Sequence, residues 1–353
     1  MDRTENATMT GIDNGGHIQT VTGNIRPEQL GYCQSHEHLF IADGHSAKLV
    51  PSLRLDDFDA TCSELELCKK HGCSAIVDAQ PVGCGRMADL LLKASLKTGV
   101  SIMASTGFHK LVFYPDDHWI RDMDEDSLAA LFIGELENGM FTGCDLSRPE
   151  HRISSKAGVI KTASDREGPV GDYKRLFSAA AEASVQTGAP ILSHTEMGKG
   201  ALEQIKLFTD HKVPVDSIII CHLDRVLTDT DHLMEVASTG VYLELDTIGR
   251  FKYHSDDDEA RFILSLLEHG FDDRILLGLD TTRERMKSYG GAIGLDYLHE
   301  SFFPLLRSYG VSDSHIYKFT VSNPAKAFSF KRRILGHAGT DARDGRVMPI
   351  KEQ

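Results

Sequence analysis

Residues 173–196 read YKRLFSAAAEASVQTGAPILSHTE, and they contain the repeating unit of the whole chain. The part up to Thr187 has the apolar spacing of an amphipathic helix, and Gly188 is the residue type that closes a helix in the left-handed conformation. The short apolar run that follows, beginning at Pro190, is typical of a parallel strand buried on both faces. The stretch therefore predicts a helix, a glycine turn and a buried strand.

The same unit recurs along the chain. Further predicted helices stop at a glycine, namely Asp57–His71, Arg86–Thr98, Thr230–Thr239 and Phe262–His269. Buried strands are predicted at Gly31–His38, Cys73–Gln80, Ser101–Phe108, Ala157–Ser164, Pro190–Glu196, Ser217–Asp224, Gly240–Thr247 and Arg274–Thr281. Eight such strands indicate an α/β fold of the closed (β/α)8, or TIM, barrel type, whereas five or six would have indicated an open sheet. We expect one barrel domain over 18–330, a short flexible N-terminal extension over 1–17 and a C-terminal tail over 331–353.

Side chains that can bind metals stand at the ends of the predicted strands. His36 and His38 are two residues apart, so they share one face of the first strand. Alone, such a pair is more often two satisfied polar residues than a metal site. His194, His222 and Asp280 end three other strands, and the carboxyl ends of barrel strands are where barrel enzymes place their chemistry. Packing alone would have placed valine or isoleucine at these positions, so together they predict a metal site.

Lys161 ends the fourth predicted strand, in the sequence GVIKT, and would point into the same barrel mouth. A buried ammonium beside divalent cations would be strongly repelled. A lysine whose amine has captured carbon dioxide is instead an anionic carbamate that can bridge two metal ions. The alternative is a lysine whose charged end reaches water. Given its neighbours, we predict the carbamate.

Composition excludes several classes of partner. The formal net charge is −14 with no dense basic stretch, which argues against nucleic acid and anionic membranes as partners. The seven cysteines are scattered and contain no CxxC pair, as in a reducing compartment. The start of the sequence lacks a signal-peptide pattern, and no apolar run is long enough to span a membrane. We therefore expect a cytoplasmic protein that acts on a small molecule.

Several stretches of the sequence resemble the phosphotriesterase-like branch of the amidohydrolase superfamily. They include QTVTG, SHEHLF, AIVDAQPVGCGR, ASTGF, GVIKTAS, HTEMG and VSNPAKAFSF, and the resemblance extends over roughly residues 18–330. The order of HxH, lysine, histidine, histidine and aspartate along the strands is the specific part of this resemblance.

The resemblance implies a binuclear metal centre bridged by a carboxylated lysine and a hydroxide. Transferred to this sequence, one ion binds His36, His38 and Asp280, the other binds His194 and His222, and Lys161 spans both. Zinc is the expected ion, with manganese or cobalt as alternatives. Asp280 is also the predicted catalytic residue, because it can take a proton from the attacking hydroxide and pass it to the leaving group.

The loops after the last two strands indicate the substrate. The phrases RFKY (250–253) and DTTR (280–283) resemble the subgroup of lactonases that act on phosphorylated sugar lactones. Lys252 and Arg283 are the predicted phosphate-binding pair, with Tyr289 as a further donor, and Tyr253 and Arg225 are predicted to contact substrate or support the site. The expected substrate is therefore an anionic furanose lactone that carries a phosphate.

Other functions remain open at this point. The same family contains organophosphate triesterases and acyl-homoserine lactonases, which act on neutral esters, and related barrels hydrolyse amides or deaminate amidines. A barrel that binds a ligand without catalysis is a further alternative from a different class. The resemblance also implies that the chain can form a homodimer.

Overall fold

The computed structural model describes residues 16–331, and these residues contain the eight predicted strands in one sheet. The strands are β1 (Tyr32–Glu37), β2 (Cys73–Asp78), β3 (Ser101–Gly107), β4 (Val159–Ala163), β5 (Ile191–His194), β6 (Ile218–Cys221), β7 (Tyr242–Leu245) and β8 (Ile275–Leu277). Each strand pairs in parallel with the next one along the chain. The prediction of eight parallel strands is confirmed, although each strand is shorter than predicted because the predicted ranges included residues of the adjoining turns.

The barrel closes where β8 meets β1. The backbone amides of Leu279 and Asp280 donate to the carbonyl oxygen of His36, at 3.3 and 2.9 Å. Gly278 is required at this seam, because a Cβ atom there would lie 2.9 Å from the backbone of His36. The first and last strands are thereby joined beside two of the predicted metal ligands, and the (β/α)8 barrel fold is confirmed.

A helix follows each strand and packs on the outside of the barrel. In order they are Phe58–Lys70, Ala88–Thr98, Glu125–Glu137, Asp172–Thr187, Ala201–Asp210, Thr230–Ser238, Asp256–Glu268 and Phe303–Ser308. The helix Ala201–Asp210 was not predicted, and the seventh helix begins at Asp256 and not at Phe262. Its start is capped by Ser255, whose hydroxyl accepts from the amide of Asp258, so the acidic run is the first helical turn. The glycines at the helix ends, 72, 99, 188, 240 and 270, all have positive φ, as predicted.

Shorter elements complete the described part of the chain. Antiparallel pairs form between Ile18–Thr20 and Gly23–Ile25 and between Phe141–Thr142 and His151–Arg152. Short α-helices lie at His45–Leu49, Trp119–Asp122, Asp313–Tyr317 and Asn323–Ala327, and π-helical segments at Leu298–Phe302 and Lys318–Ser322. Single 3₁₀ turns lie at Pro27–Gln29, Pro51–Leu53, Leu111–Phe113, Val215–Ser217, Leu223–Arg225 and Lys287–Tyr289.

Two apolar layers support the barrel. The outer layer packs between the strands and the helices, and the inner layer fills the barrel with residues such as Met103, Val159 and Leu192. Side chains two apart on a strand share a face, so Lys161 lies above Val159 and His194 above Leu192. The polar side chains at the barrel mouth therefore lie directly above a floor of apolar side chains.

The predicted extension and tail fall almost entirely outside the described residues. Among residues 16–331, no helix has both the length and the apolar character needed to cross a membrane.

Candidate metal centre and active site

The six predicted metal ligands lie around one cavity at the carboxyl ends of the strands. The cavity has a volume of about 420 Å³, and His36, His38, Lys161, His194, His222 and Asp280 all line it. Each of these residues is buried, with at most 7% of its surface exposed. Residues that are up to 244 positions apart in the sequence are thus brought together, as at the contact between Glu37 and Thr281 beside the site.

The imidazole rings and the carboxylate of these residues are close enough together for several of them to bind the same ion. Ring centroids are 5.0 Å apart for His36 and His222 and 4.4 Å apart for His194 and His222. The Oδ1 atom of Asp280 lies 3.3 Å from Nε2 of His38 and 3.8 Å from Nε2 of His36, and these three residues can ligate one cation. The Nζ atom of Lys161 lies 3.4 Å from Nε2 of His36 and lines the same cavity.

The chemistry of this donor set fits divalent metal ions. Burial, more than any other cause, holds the pKa of His36 and of His222 well below the usual range and that of His194 at about 4, so the rings are neutral donors. The buried Nδ1 atom of His38 has no hydrogen-bond partner among residues 16–331. Within the same range, the buried side chain of Lys161 forms no ion pair with a carboxylate.

Two of the ligand positions have an uncommon backbone conformation. His222 has φ of 63° and Asp280 has φ of 46°, in the left-handed region that residues other than glycine seldom adopt. Such strain persists only where the surrounding structure enforces it, and it is typical of functional sites. His222 directly follows β6 and Asp280 lies three residues beyond the end of β8, and both side chains line the cavity at the barrel mouth.

Asp246 is part of the site and was not predicted. It follows β7 and is fully buried, and its Oδ1 accepts a hydrogen bond from Nδ1 of His222 at 2.6 Å. Its Oδ2 accepts from the backbone amide of His222 and lies 3.4 Å from Nδ1 of His36. The carboxylate therefore fixes the tautomer of His222 and leaves Nε2 free for a metal ion. The sequence signal was present, because LELD ends a strand in an acid as GLD does at Asp280.

One wall of the cavity contains charged residues that the sequence analysis also overlooked. Lys110 donates to Glu196 at 2.6 Å, and the same carboxylate lies 3.1 Å from Nε2 of His194. The hydrogen bond from His194 and then the contact with Lys110 hold the pKa of Glu196 at about 2 despite its partial burial. His109, which follows β3, stands 5.6 Å from His194 between ring centroids. All three residues lie within three positions of the end of a barrel strand, which is the signal that could have identified them.

A further part of the cavity wall is cationic. The guanidinium of Arg225 lies 2.8 Å and that of Arg250 lies 3.0 Å from Oδ2 of Asp280. Burial would raise the pKa of Asp280, but Arg250, His38, His222 and Arg225 together hold it well below its usual range. Arg285 donates to the carbonyl of Ile248 at 2.6 Å and also lines the cavity. The carboxylate of Asp280 therefore stays ionised between its cationic and imidazole neighbours.

The predicted substrate-binding residues divide into two groups. Lys252 and Arg225 line the cavity, and Tyr253 stands just behind them, with Lys252 Nζ 4.9 Å from the centre of its ring. Arg283 and Tyr289 do not line it. Tyr289 is directed toward the first helix, because its hydroxyl donates to the carbonyl of Asp57 at 2.8 Å and contacts Thr61 Oγ1 at 2.8 Å.

Arg283 is exposed and lies over the ring of Tyr289, 5.2 Å from its centre. Its one side-chain hydrogen bond among the described residues is a 3.5 Å contact to the carbonyl of Arg54. Of the predicted phosphate-binding trio of Lys252, Arg283 and Tyr289, Lys252 is the member that lines the cavity.

Comparison with known proteins gives one consistent family. A model of the phosphotriesterase family matches residues 16–328. The phospho-furanose lactonase of Mycoplasmopsis synoviae is 31% identical, over 89% of this chain and 92% of its own length. The structure of the Listeria monocytogenes lactonase Lmo2620 superposes with a TM-score of 0.82 at 30% identity, over 90% of this chain and all of that one. The N-acetyltaurine hydrolase of Danio rerio is more distant, at 25% identity over 90% of this chain and 99% of its own length.

Proposed function

The chain belongs to the phosphotriesterase family, and from this premise we propose that it is a metal-dependent lactonase that opens a furanose-type sugar lactone carrying a phosphate. The observation that carries the proposal is the cationic wall of the cavity. Arg225, Arg250, Lys252 and Arg285 face the candidate metal centre in a protein whose net charge is −14. A neutral triester or an acyl-homoserine lactone would be better matched by an apolar wall.

The metal ligands of the proposal follow the geometry. His36, His38 and Asp280 would hold one ion, and His194 and His222 the other. Lys161 would bridge them as a carbamate, formed when its neutral amine adds to carbon dioxide and loses a proton. When bound, the two ions would polarise the lactone carbonyl and lower the pKa of the attacking water. Zinc fits the mixed imidazole and oxygen donors, and manganese and cobalt are the alternatives.

Asp280 would transfer a proton from the attacking water to the leaving oxygen. Its Oδ1 faces the histidines and its Oδ2 faces the arginines, so one oxygen can ligate while the carboxylate as a whole remains anchored. Ring opening consumes a water molecule: its oxygen bonds to the carbonyl carbon, the ring C–O bond breaks and the departing oxygen needs a proton. We assign that transfer to Asp280, which would accept the proton from water and return it to the leaving oxygen.

The cationic wall would bind the phosphate. Lys252 is a point charge at the cavity edge, whereas Arg225 and Arg250 present planar guanidinium groups. Because both arginines already contact Asp280, Lys252 is the residue that is free to act on the phosphate alone. We retain Arg283 as a second phosphate ligand that would reach the cavity through a change of side-chain rotamer. Thr282 and Glu284, on either side of it in the sequence, both line the cavity. We do not include Tyr289 among the phosphate ligands, because its hydroxyl bonds to Asp57 and Thr61, outside the cavity.

A second candidate function is hydrolysis of an amide whose acyl or amine part carries an anionic group. The observation that favours it is the same cationic wall, which would accept a sulfonate as well as a phosphate, and a relative named N-acetyltaurine hydrolase aligns over nearly its whole length. Amide and lactone hydrolysis need the same attacking water and the same proton transfer, so the metal ligands do not separate the two.

The deciding experiment is a turnover screen with zinc- and manganese-loaded protein. The substrates are furanose lactones with and without a 5-phosphate, an acyl-homoserine lactone, a phosphotriester and N-acetyltaurine. The phosphorylated lactone should have the highest kcat/KM, by about ten- to a hundredfold over its unphosphorylated partner, as one charge-assisted contact implies. A higher kcat/KM for N-acetyltaurine would establish the amidase, and a preference for neutral esters would refute both.

A further inference from the structure

A second buried cluster of potential ligands lies behind the cationic wall, outside the cavity. It consists of Asp224 after β6, His254 in the loop after β7, and Glu259 in the helix that follows this loop. One ligating atom from each residue lies within 4.8 Å of the other two. Asp224 and Glu259 are fully buried, and the side chain of His254 is 9% exposed. None of the three lines the cavity that contains the candidate binuclear centre.

Glu259 is the least satisfied member of the cluster. Neither of its carboxylate oxygens has a hydrogen-bond partner anywhere in the described chain, and its one ion-pair contact there is to Nε2 of His254 at 3.2 Å. A buried carboxylate with no donor is costly, and proteins retain such groups where something else occupies the site. Among the described residues, the carboxylate of Glu259 is therefore directed at His254, within the cluster.

The hydrogen bonding of His254 also indicates a ligand between it and Glu259. Its Nδ1 lies 3.0 Å from the carbonyl oxygen of Ser255, which can only accept, so Nδ1 carries a proton. In the neutral ring Nε2 is then a bare lone pair, and it faces the lone pairs of Glu259 Oε2. Two acceptors at this separation repel unless a proton or a cation lies between them. A histidine whose other nitrogen donates to a backbone carbonyl is also the usual form of a metal-binding histidine.

The charges around the cluster favour a cation over a shared proton. Asp246 and Asp256 are also buried nearby, and with Asp224 and Glu259 they concentrate four acidic groups in one small volume. Thr247 donates two hydrogen bonds to Asp224, from its amide and its hydroxyl, whereas no described donor reaches the carboxylate of Glu259. A divalent ion would remove this mutual repulsion, whereas one proton would remove only part of it.

We propose that Asp224, His254 and Glu259 bind a single divalent transition-metal ion, of which zinc is the best fit, at a site separate from the barrel mouth. One imidazole and two carboxylates are zinc-type donors, and a water molecule would complete the shell. The 3.2 Å between His254 Nε2 and Glu259 Oε2 is close to the edge of a tetrahedron with bonds of about 2.0 Å. The ion would join the loop after β6, which carries Arg225, to the loop after β7, which carries Arg250 and Lys252.

The direct test is anomalous diffraction at the zinc edge from zinc-grown crystals of the wild-type protein. We expect a peak bonded to these three side chains, in addition to any peaks among the histidines of the barrel mouth. Barrel-mouth peaks without a peak at the cluster would overturn the inference and leave the proposed function intact. A peak at the cluster without barrel-mouth peaks would uphold the inference and refute the binuclear scheme.

Metal stoichiometry gives an independent measurement in solution. Glu259→Gln and His254→Gln should each bind one zinc equivalent fewer than the wild type, whatever the wild-type total. The matched controls are Glu268→Gln and His269→Gln, exposed residues at the end of the same helix, which should bind the wild-type number. Equal zinc content in all five proteins would overturn the inference and would identify the cluster as a protonated His254–Glu259 pair. If Glu259→Gln does not fold, the partly exposed His254→Gln variant and the diffraction experiment still decide the question.

Discussion

The two sides of the active-site cavity are held in place by different means. The candidate metal ligands stand on β1, β4 and β5 or within three residues of the ends of β1, β6 and β8, where the barrel hydrogen bonds and the apolar floor fix them. The cationic residues stand on loops, and side-chain contacts orient them, as the salt bridges of Arg225 and Arg250 to Asp280 do. We call the metal ligands the strand side of the cavity and the cationic residues its loop side. Substitutions on the strand side should abolish the chemistry, whereas substitutions on the loop side should alter which substrate is accepted.

The largest effect is expected from Lys161→Ala, which tests the strand side at its centre. Loss of the bridging group should remove metal and lower kcat/KM by roughly a thousandfold or more, since metal ions supply several kcal/mol of stabilisation. Metal analysis and turnover measure this, with the exposed Lys174→Ala as the matched control. Added short carboxylic acids should restore part of both quantities. Full metal content in the variant would show that Lys161 bridges nothing.

Asp280→Asn should have the next largest effect. It removes the proton acceptor and one anionic ligand, so kcat should fall by about a hundred- to ten-thousandfold. The far-ultraviolet circular dichroism spectrum should be unchanged, because Asn tolerates the left-handed backbone conformation at this position. Turnover near that of the wild type would mean that a different group carries the proton.

Asp246→Asn tests the support behind the strand side. The change weakens the 2.6 Å hydrogen bond that fixes the tautomer of His222, so metal affinity or activity should drop by about ten- to a hundredfold. Competition with a chelator measures the affinity. The exposed Asp231→Asn serves as the control. An unaltered affinity would show that the backbone alone orients His222.

Lys252→Met is the corresponding test of the loop side. For a phosphorylated lactone, kcat/KM should fall by about ten- to a hundredfold, mainly through KM, because a charge-assisted contact is lost. For the unphosphorylated lactone it should hardly change, because the metal ligands are intact. Arg283→Met belongs in the same assay: a selective loss there would show that Arg283 rotates into the cavity when substrate binds. Equal losses with both substrates would place Lys252 in the support of the barrel.

The smallest effect is expected from Tyr289→Phe. Its hydroxyl bonds to Asp57 and Thr61, so the free energy of unfolding should fall by about 0.5–1.5 kcal/mol with kcat and KM unchanged. Urea denaturation measures the stability. A selective rise in KM for the phosphorylated lactone would return Tyr289 to the phosphate site and break the division between the two sides.

That division also explains what the sequence could and could not predict. The positions of residues at strand ends can be predicted from sequence, because buried apolar runs identify the strands. A closed barrel then brings residues such as His36, Lys161 and His222 to one rim, independently of the loop conformations. Asp246 followed the same rule and was overlooked for lack of a neighbouring motif. Loop side chains are not readable in this way: the alignment of Arg283 over Tyr289, and of Tyr289 toward the first helix, depends on contacts with residues more than 200 positions away in the sequence.

The seam between β1 and β8 has a consequence for how the protein is made. It joins residues 242 positions apart, such as Glu37 and Leu279, and His36 and Asp280 lie on either side of it. A contact between residues so far apart raises the contact order of the fold, so we expect it to form late in folding. During synthesis His36 leaves the ribosome long before Asp280 exists. The nascent barrel therefore has an open edge at β1 and only part of its ligand set until β8 and Asp280 have been translated.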